Sequence, residues 1–156
     1  MFAVIRVRGP IKVNRDIELT MKLLRLTRSN HCVLYKEDSK KINGMINKAR
    51  GYITWGTISE KMLEKLLAKR AMIYSKEGKL EFLRDVYKGK EAKIAEIAKD
   101  LISGKNSLEK LSIKQVFRLK PPSKGYEKKG IKKTFNEGGV LGFRKIGIDN
   151  LIKRMI

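Results

Sequence analysis

The sequence predicts an α+β fold: a small β-α-β-α-β core, with two helices on one face of a three-stranded, largely antiparallel sheet, followed by a helical and irregular basic extension. Three observations lead there. Residues 2–8 alternate in the manner of a strand. Two capped segments with helical apolar spacing, each followed by a β-branched or aromatic run, complete the unit before residue 58. Between Lys120 and Lys133 stand six lysines and one acid, with Pro121-Pro122 forbidding a helix and Gly125 and Gly130 loosening the backbone.

In the first strand Ala3, Ile5 and Val7 are expected on one face and Val4, Arg6 and Arg8 on the other, and Gly9-Pro10 ends it. Asn14 is placed to cap a helix with Asp16 and Glu18 in its first turn, where carboxylates suit the helix dipole, and with Ile17, Met21 and Leu24 inward. Arg25 and Arg28 at its far end join Arg6 and Arg8 as a basic rim. A second strand, His31 to Lys36, is closed by Glu37-Asp38. Ser39 then caps a helix in which Ile42, Met45, Ile46 and Ala49 recur at i, i+3, i+4, i+7, with Gly51 as its stop. Tyr52-Ile53-Thr54-Trp55 reads as the third strand. Ile5, Val7, Met21, Leu24, Ile42 and Ile46 are expected to be buried together. Short loops of this kind favour two helices on one sheet face and a ferredoxin-like resemblance.

A unit of residues 1–58 lies near the lower size limit for independent stability, so residues 59–156 are expected to pack on it and on a partner. Ser59 caps a helix running to Ala71, with Met62, Leu63, Leu66 and Leu67 inward and Lys61, Lys65 and Lys69 along another ridge. Ile73-Tyr74 and Leu80 to Leu83, split by Ser75-Lys76-Glu77-Gly78, admit either a hairpin or irregular packing. Glu91 to Ser103 is helical, with Ile94, Ile97, Ala98 and Leu101 inward and Gly104 as its stop. Leu108, Leu111, Ile113, Phe117 and Leu119 then lead into the basic loop. Asp149 to Ile156 forms a last short helix with Leu151, Ile152 and Ile156 packed and Lys153-Arg154 exposed.

Function is bounded mainly by charge. Thirty-seven basic against sixteen acidic residues in 156 give a net charge of +21. Self-repulsion of that size destabilises a compact chain unless an anionic partner neutralises it. The Lys120–Lys133 loop repels itself and is expected to stay mobile without that partner. Phe117 and Leu119 before it and Phe135, Leu141 and Phe143 after it are expected to anchor its ends. A solvated linker is the plainer reading, but Tyr126, Arg118, Arg144 and Lys145 place a stacking ring and guanidinium forks among the lysines, as nucleic-acid binding requires. The RNA-contact candidates are therefore Arg6, Arg8, Arg25, Arg28, Arg118, Lys120, Lys124, Tyr126, Lys128, Lys129, Lys132, Lys133, Arg144 and Lys145.

The same residues argue against other classes. One cysteine and one histidine cannot make a metal site, and as strand neighbours Cys32 and His31 point to opposite faces, so no nucleophile–base pair is expected. Cys32 reads as a reduced, buried thiol. Gly142 to Gly147 has the glycine spacing of a phosphate loop, but Ile148 stands where the lysine must be. No enzyme activity, cofactor or small-molecule substrate is expected. No apolar run approaches the roughly 18 residues of a membrane span, and the opening lacks the basic start of a signal peptide, so a cytoplasmic protein with no membrane partner is expected.

Ile5-Arg6-Val7-Arg8-Gly9, Leu23-Leu24-Arg25-Leu26, Met45-Ile46-Asn47-Lys48-Ala49, Tyr52-Ile53-Thr54-Trp55-Gly56, Gly138-Gly139-Val140-Leu141-Gly142 and Asn150-Leu151-Ile152-Lys153-Arg154-Met155 together resemble the universal large-subunit ribosomal protein family numbered thirty in bacteria and seven in eukaryotes. The resemblance runs in order along nearly the whole chain. Bacterial members stop near the third strand, so the length is similar to the archaeal long form, and the long basic N-terminal arm of eukaryotic members is missing. The resemblance implies a noncatalytic constituent of the large subunit that binds and stabilises folded rRNA near the docking region of 5S rRNA, beside neighbouring ribosomal proteins. The competing reading is a free-standing RNA chaperone or an accessory subunit of an RNA-processing enzyme.

Overall fold

The computed structural model describes every residue except Asp38, Lys76, Glu77 and Lys90, together with all side chains of the described residues but that of Glu91. Asp38 in the expected strand ending and the Lys76-Glu77 part of the expected 75–78 break lie outside the described residues.

The N-terminal unit forms as its sequence directs. Strand β1 (Phe2–Arg6) leads to α1 (Arg15–Leu23), where the Asn14 side chain accepts a hydrogen bond from the Asp16 amide. Strand β2 (His31–Tyr35) leads to α2 (Lys40–Ala49), where the Ser39 hydroxyl faces the Ile42 amide. Strand β3 (Ile53–Thr57) follows. Beyond it, Ser59 caps α3 (Glu60–Arg70) through the Met62 amide, and the segment left open by the sequence is a hairpin of β4 (Met72–Tyr74) and β5 (Leu80–Phe82). A one-turn α4 (Leu83–Val86), then α5 (Glu91–Ser103), β6 (Val116–Arg118), β7 (Gly142–Phe143) and α6 (Ile148–Met155) complete the chain.

The sheet is larger than the three strands expected. Its order is β6-β2-β1-β3-β7. β1 lies centrally and antiparallel to both neighbours, with Ile5 opposite Cys32 and Thr54. β6 adds antiparallel to β2, Phe117 opposite Cys32, and β7 adds parallel to β3, Phe143 opposite Trp55. The two outer strands are only three and two residues long, as befits sheet edges.

Both faces of this sheet are apolar, because side chains alternate along each strand and each set meets a helical layer. Val4, Val33 and Ile53 pack with Met21, Leu24 and Leu26 and with Ile46 and Ala49 of α2. Ala3, Ile5, Cys32 and Leu34 face the other way, onto Leu63, Leu66 and Leu67 of α3, Ala98 and Leu101 of α5, and Leu151, Ile152 and Met155 of α6. This corrects the expected grouping: Val4, not Ile5, meets the first two helices, and Val7 joins a small cluster with Val140 and Leu141. In α6 Met155 is fully buried and Ile156 only partly so.

Candidate nucleic-acid interface

Two of the arginines expected to contact RNA, Arg6 of the rim and Arg144 beside the basic loop, are internal. Arg6 ends the central strand and is 2% exposed. Its Nε donates to the Arg8 carbonyl at 2.9 Å, and its Nη1 donates to the Leu26 and Thr27 carbonyls at 2.8 and 2.9 Å, which ties the α1–β2 turn to β1. Nη2 meets no acceptor among the described residues. Burial lowers the Arg6 pKa, and Glu18 partly offsets it. Arg144 is 4% exposed: Nε donates to Thr54 Oγ1 at 2.8 Å, and Nη1 and Nη2 reach the two Glu127 oxygens at 2.7 and 2.9 Å. Arg154 of α6 also donates to Glu127 Oε1, at 2.9 Å. Burial raises the Glu127 pKa, but hydrogen bonds from Arg144 and its own backbone and the charges of Arg144 and Arg154 outweigh this, so the carboxyl lies below its usual range.

That three-residue knot also changes the picture of the basic loop, which has internal fastenings the charge count did not show. The Lys120 amide donates to the Met155 carbonyl and the Ser123 amide to the Arg154 carbonyl, seating the loop on the end of α6, and Pro122 is buried. Tyr126 is half-buried in the cluster with Val7, Val140 and Leu141, with its hydroxyl donating to Asn30 Oδ1 at 3.0 Å. Its ring is therefore part of the packing. Gly139 fits against the Lys133 backbone so closely that a Cβ would lie 2.3 Å from the Lys133 carbonyl oxygen.

The remaining candidates are at the surface. Arg25, Arg28, Arg118, Lys120, Lys124, Lys128, Lys129, Lys132, Lys133 and Lys145 are exposed, and Arg8 is half-buried. They occupy separate regions. At the β6 edge Arg118 pairs in register with His31, whose pKa is lowered first by burial and then by the charges of Arg118, Arg28, Arg6 and Lys114. Arg25, held at φ +57°, lies 3.9 Å from Glu109, an exposed contact of little energetic weight. The loop lysines other than Lys132 form a second region.

A third region is a cleft at the opposite sheet edge. It has a volume of about 860 Å³ and is bounded by the end of α2, by β3 and by residues 132–145. Arg8, Arg50, Lys132 and Lys145 bring cations to its wall, Trp55, Phe135 and Phe143 bring rings, Asn47 and Asn136 bring amides, and among the described residues no carboxylate lines it. Phe135 and Phe143, expected as buried anchors, are 36% and 43% exposed, whereas Phe117, Leu119 and Leu141 are buried as expected. Phe143 stands edge-on to Phe2 at 6.0 Å and tilted against Trp55 at 6.2 Å. The Arg144 guanidinium lies 4.7 Å over the Phe135 ring, and Arg8 lies 4.7 Å over Tyr52. The β7 wall is fixed by Thr54 Oγ1 donating to the Gly142 carbonyl at 3.0 Å and the Arg144 amide donating to the Trp55 carbonyl at 2.8 Å. Gly56 permits this approach, since a Cβ there would lie 2.2 Å from the Lys145 carbonyl oxygen. The Gly142–Gly147 stretch is thus strand and turn.

Sequence reasoning found Arg8, Lys132, Arg144 and Lys145 of this lining and missed Asn47, Arg50, Trp55, Phe135, Asn136 and Phe143 as members of a site. The available signal was the placement of Phe135 and Phe143 among glycines and lysines, where no apolar period requires a ring.

The family model of ribosomal protein L30p/L7e matches residues 2–53. A large ribosomal subunit protein uL30 of Nanoarchaeum equitans is 51% identical over 157 residues, spanning 100% of this chain and 99% of its own. The chain belongs to the L30p/L7e family. Similar relatives, also bearing the name large ribosomal subunit protein uL30, come from Methanococcus maripaludis, 41% identical over 99% of both chains, and Staphylothermus marinus, 41% identical over 100% of this chain and 98% of its own. The L30p/L7e match ends at the start of β3, while the similarity to these archaeal L30p/L7e proteins continues through β7 and α6. The cleft straddles the two parts: Arg8, Asn47 and Arg50 lie within the matched residues and Phe135, Phe143 and Lys145 beyond them.

Among the described residues no cluster of His, Cys, Asp or Glu is arranged to hold a metal ion, and no helix is long and apolar enough to cross a membrane. Cys32 is fully buried, and burial pushes its thiol up to about 12.

Proposed function

We propose that this chain is a structural, noncatalytic constituent of the cytoplasmic large ribosomal subunit that binds and stabilises folded rRNA. The observation that carries the reading is end-to-end similarity to archaeal large ribosomal subunit proteins. A net charge of +21, with exposed lysines and arginines in three regions, supports it physically. Lysines as mobile point charges hold phosphates and release counterions, while the shape of the folded RNA supplies selectivity. The surface members of the candidate set, the exposed Arg25, Arg28, Arg118, Lys145 and loop lysines and the half-buried Arg8, belong to this proposal; the buried Arg6 and Arg144 and the packed Tyr126 serve it by shaping the surface. Neighbouring ribosomal proteins are proposed partners, and a position near 5S rRNA is the finer expectation. The division at residue 58 is proposed as one of role: residues 1–58 supply the β-α-β-α-β unit, and residues 59–156 extend the RNA surface.

Sedimentation tests the assignment. Stoichiometric recovery in washed large subunits is expected, and a soluble pool away from ribosomes is the result that favours an RNA chaperone or processing subunit. Neutralising Lys128, Lys129, Lys132 and Lys133 together should lower the salt slope of rRNA binding by about 0.7 to 0.9 for each phosphate that is no longer neutralised. An unchanged slope means that these lysines are solvated only.

A further inference from the structure

We propose that the cleft between the end of α2 and β7 takes unpaired nucleotides of the RNA, with a base stacked on Phe143 beside Trp55 and the adjoining phosphates held by Arg50 and Lys145. The inference rests on the rRNA-binding reading and sharpens it, because contact with a duplex backbone needs cations and has no use for exposed rings.

The argument starts from an unfavourable feature. Phe143 has ring neighbours on β1 and β3, Phe2 at 6.0 Å and Trp55 at 6.2 Å, yet 43% of its surface faces solvent. Apolar surface left in water forgoes the stabilisation that burial would give it. A scattered surface ring needs no explanation, but this one shares a concave wall with Trp55 and Phe135. The cleft volume of about 860 Å³ is within the usual range for bound small molecules, about 300–1,000 Å³.

The polar groups narrow the occupant. Cations with no carboxylate among the described lining residues select an anion, and rings in the same wall select an anion that also carries flat faces; single-stranded RNA is both. Asn136 adds an amide able to donate to and accept from a base edge. The wall is also pre-arranged. Lys145 has φ +50°, a conformation that L residues rarely hold, and it is kept there between the Gly56 contact and the buried Arg144. Backbone of this kind is retained where the surroundings fix it, often at binding sites. The backbone that carries Lys145 is thereby fixed in the wall that also carries Phe143.

Trp55 is the only tryptophan, so its fluorescence reports on the cleft in the full-length protein. Short single-stranded RNA of mixed sequence and a duplex of the same nucleotide count are titrated at one stated salt concentration. Single strands are expected to quench Trp55 and to bind about tenfold more tightly than the duplex. Phe143→Ala should weaken single-strand binding by about 5- to 150-fold, the range for loss of one stacking platform, and bring the ratio of the two dissociation constants toward one. Phe143→Leu retains apolar contact with Phe2 and Trp55 but has no π-face, and it should give the same loss, which separates stacking from folding. Equal quenching by duplex, equal quenching by a polyglutamate peptide, or an undiminished ratio in both Phe143 variants overturns the proposal. Tight binding of large-subunit rRNA with Trp55 unquenched overturns the cleft assignment alone, whereas failure of that rRNA to bind overturns the reading beneath it.

Discussion

The two faces of the sheet are both apolar and both roofed by helices, yet they are closed in different ways. The buried residues of the α1–α2 face all lie between Val4 and Ile53, with Val116 of β6 the one distant residue packed against them, so most of its instruction lies in the local pattern. The opposite face draws on α3, α5, α6 and β6, with Ala3 and Ile5 near one end of the chain packed in the same cluster as Leu151 and Met155 near the other. The first face is nearly self-sufficient in sequence. The second exists only once most of the chain is present, and closing long loops before any contact rewards them is what makes such assembly slow.

The largest test of that contrast is removal of residues 59–156. The remaining fragment would uncover Ala3, Ile5, Cys32 and Leu34, and it is expected to lose cooperative unfolding and to bind a hydrophobic dye. A sharp thermal transition in the fragment would show that the α1–α2 face suffices alone. Next come single truncations on each side: Ile46→Ala on the first face and Leu66→Ala on the second, both fully or almost fully buried, should each cost about 2–5 kcal/mol in denaturant unfolding. Because the two lie on opposite sides of the sheet, the double variant should equal the sum within about 0.5 kcal/mol. A large departure from additivity would mean the faces respond as one body.

How far these faces can be read from sequence follows from β1. Its alternation is plain, but Arg6 and Arg8 make the Val4 side look solvent-facing, which pairs Ile5 and Val7 with the two nearest helices. Arg6 sits at the end of an apolar face and spends its donors on the carbonyls of the α1–β2 turn, a use that sequence alone does not separate from a surface charge. Caps are legible because Asn14, Ser39 and Ser59 act within two or three residues of themselves. β6 and β7 are not, since two or three residues carry no period and their pairing partners lie far back in the chain. The cleft is half legible for the same reason: Arg8, Lys132 and Lys145 announce themselves by type and setting, whereas Arg50 looks like any helix-end cation and the exposure of Phe135 and Phe143 depends on where β7 docks.

A third test concerns the fastening of the second half. Glu127→Ala leaves Arg144 buried without its carboxylate and should cost about 3 kcal/mol, the lower end for a broken buried pair because the Glu127 side chain keeps 22% exposure. The same carboxylate predicts a pH effect. Its folded pKa lies below the ordinary value of 4.5, so its stabilisation is complete above that value and is lost as the pH falls through the folded pKa. In Glu127→Gln this part of the acid limb should be missing; an identical acid limb would remove the knot from the account. The smallest effect is expected at Cys32, whose thiol should resist alkylation at pH 8 in the native protein and react on unfolding, with no change in RNA binding. Reaction of the native protein at the rate of a free thiol would mean that the second face opens readily.

The parallel pairing of β7 with β3 has a further consequence for a chain made from its N-terminus onward. Strand β3 ends at Thr57, but the partner that covers its outer edge begins at Gly142, so that edge stays unpaired through most of synthesis. An open edge invites pairing with a foreign strand. The two residues that cover it are also a wall of the cleft, so one short segment both protects the edge and completes the cleft. A chain that stops short of Gly142 is therefore expected to leave the β3 edge open and the cleft without its outer wall.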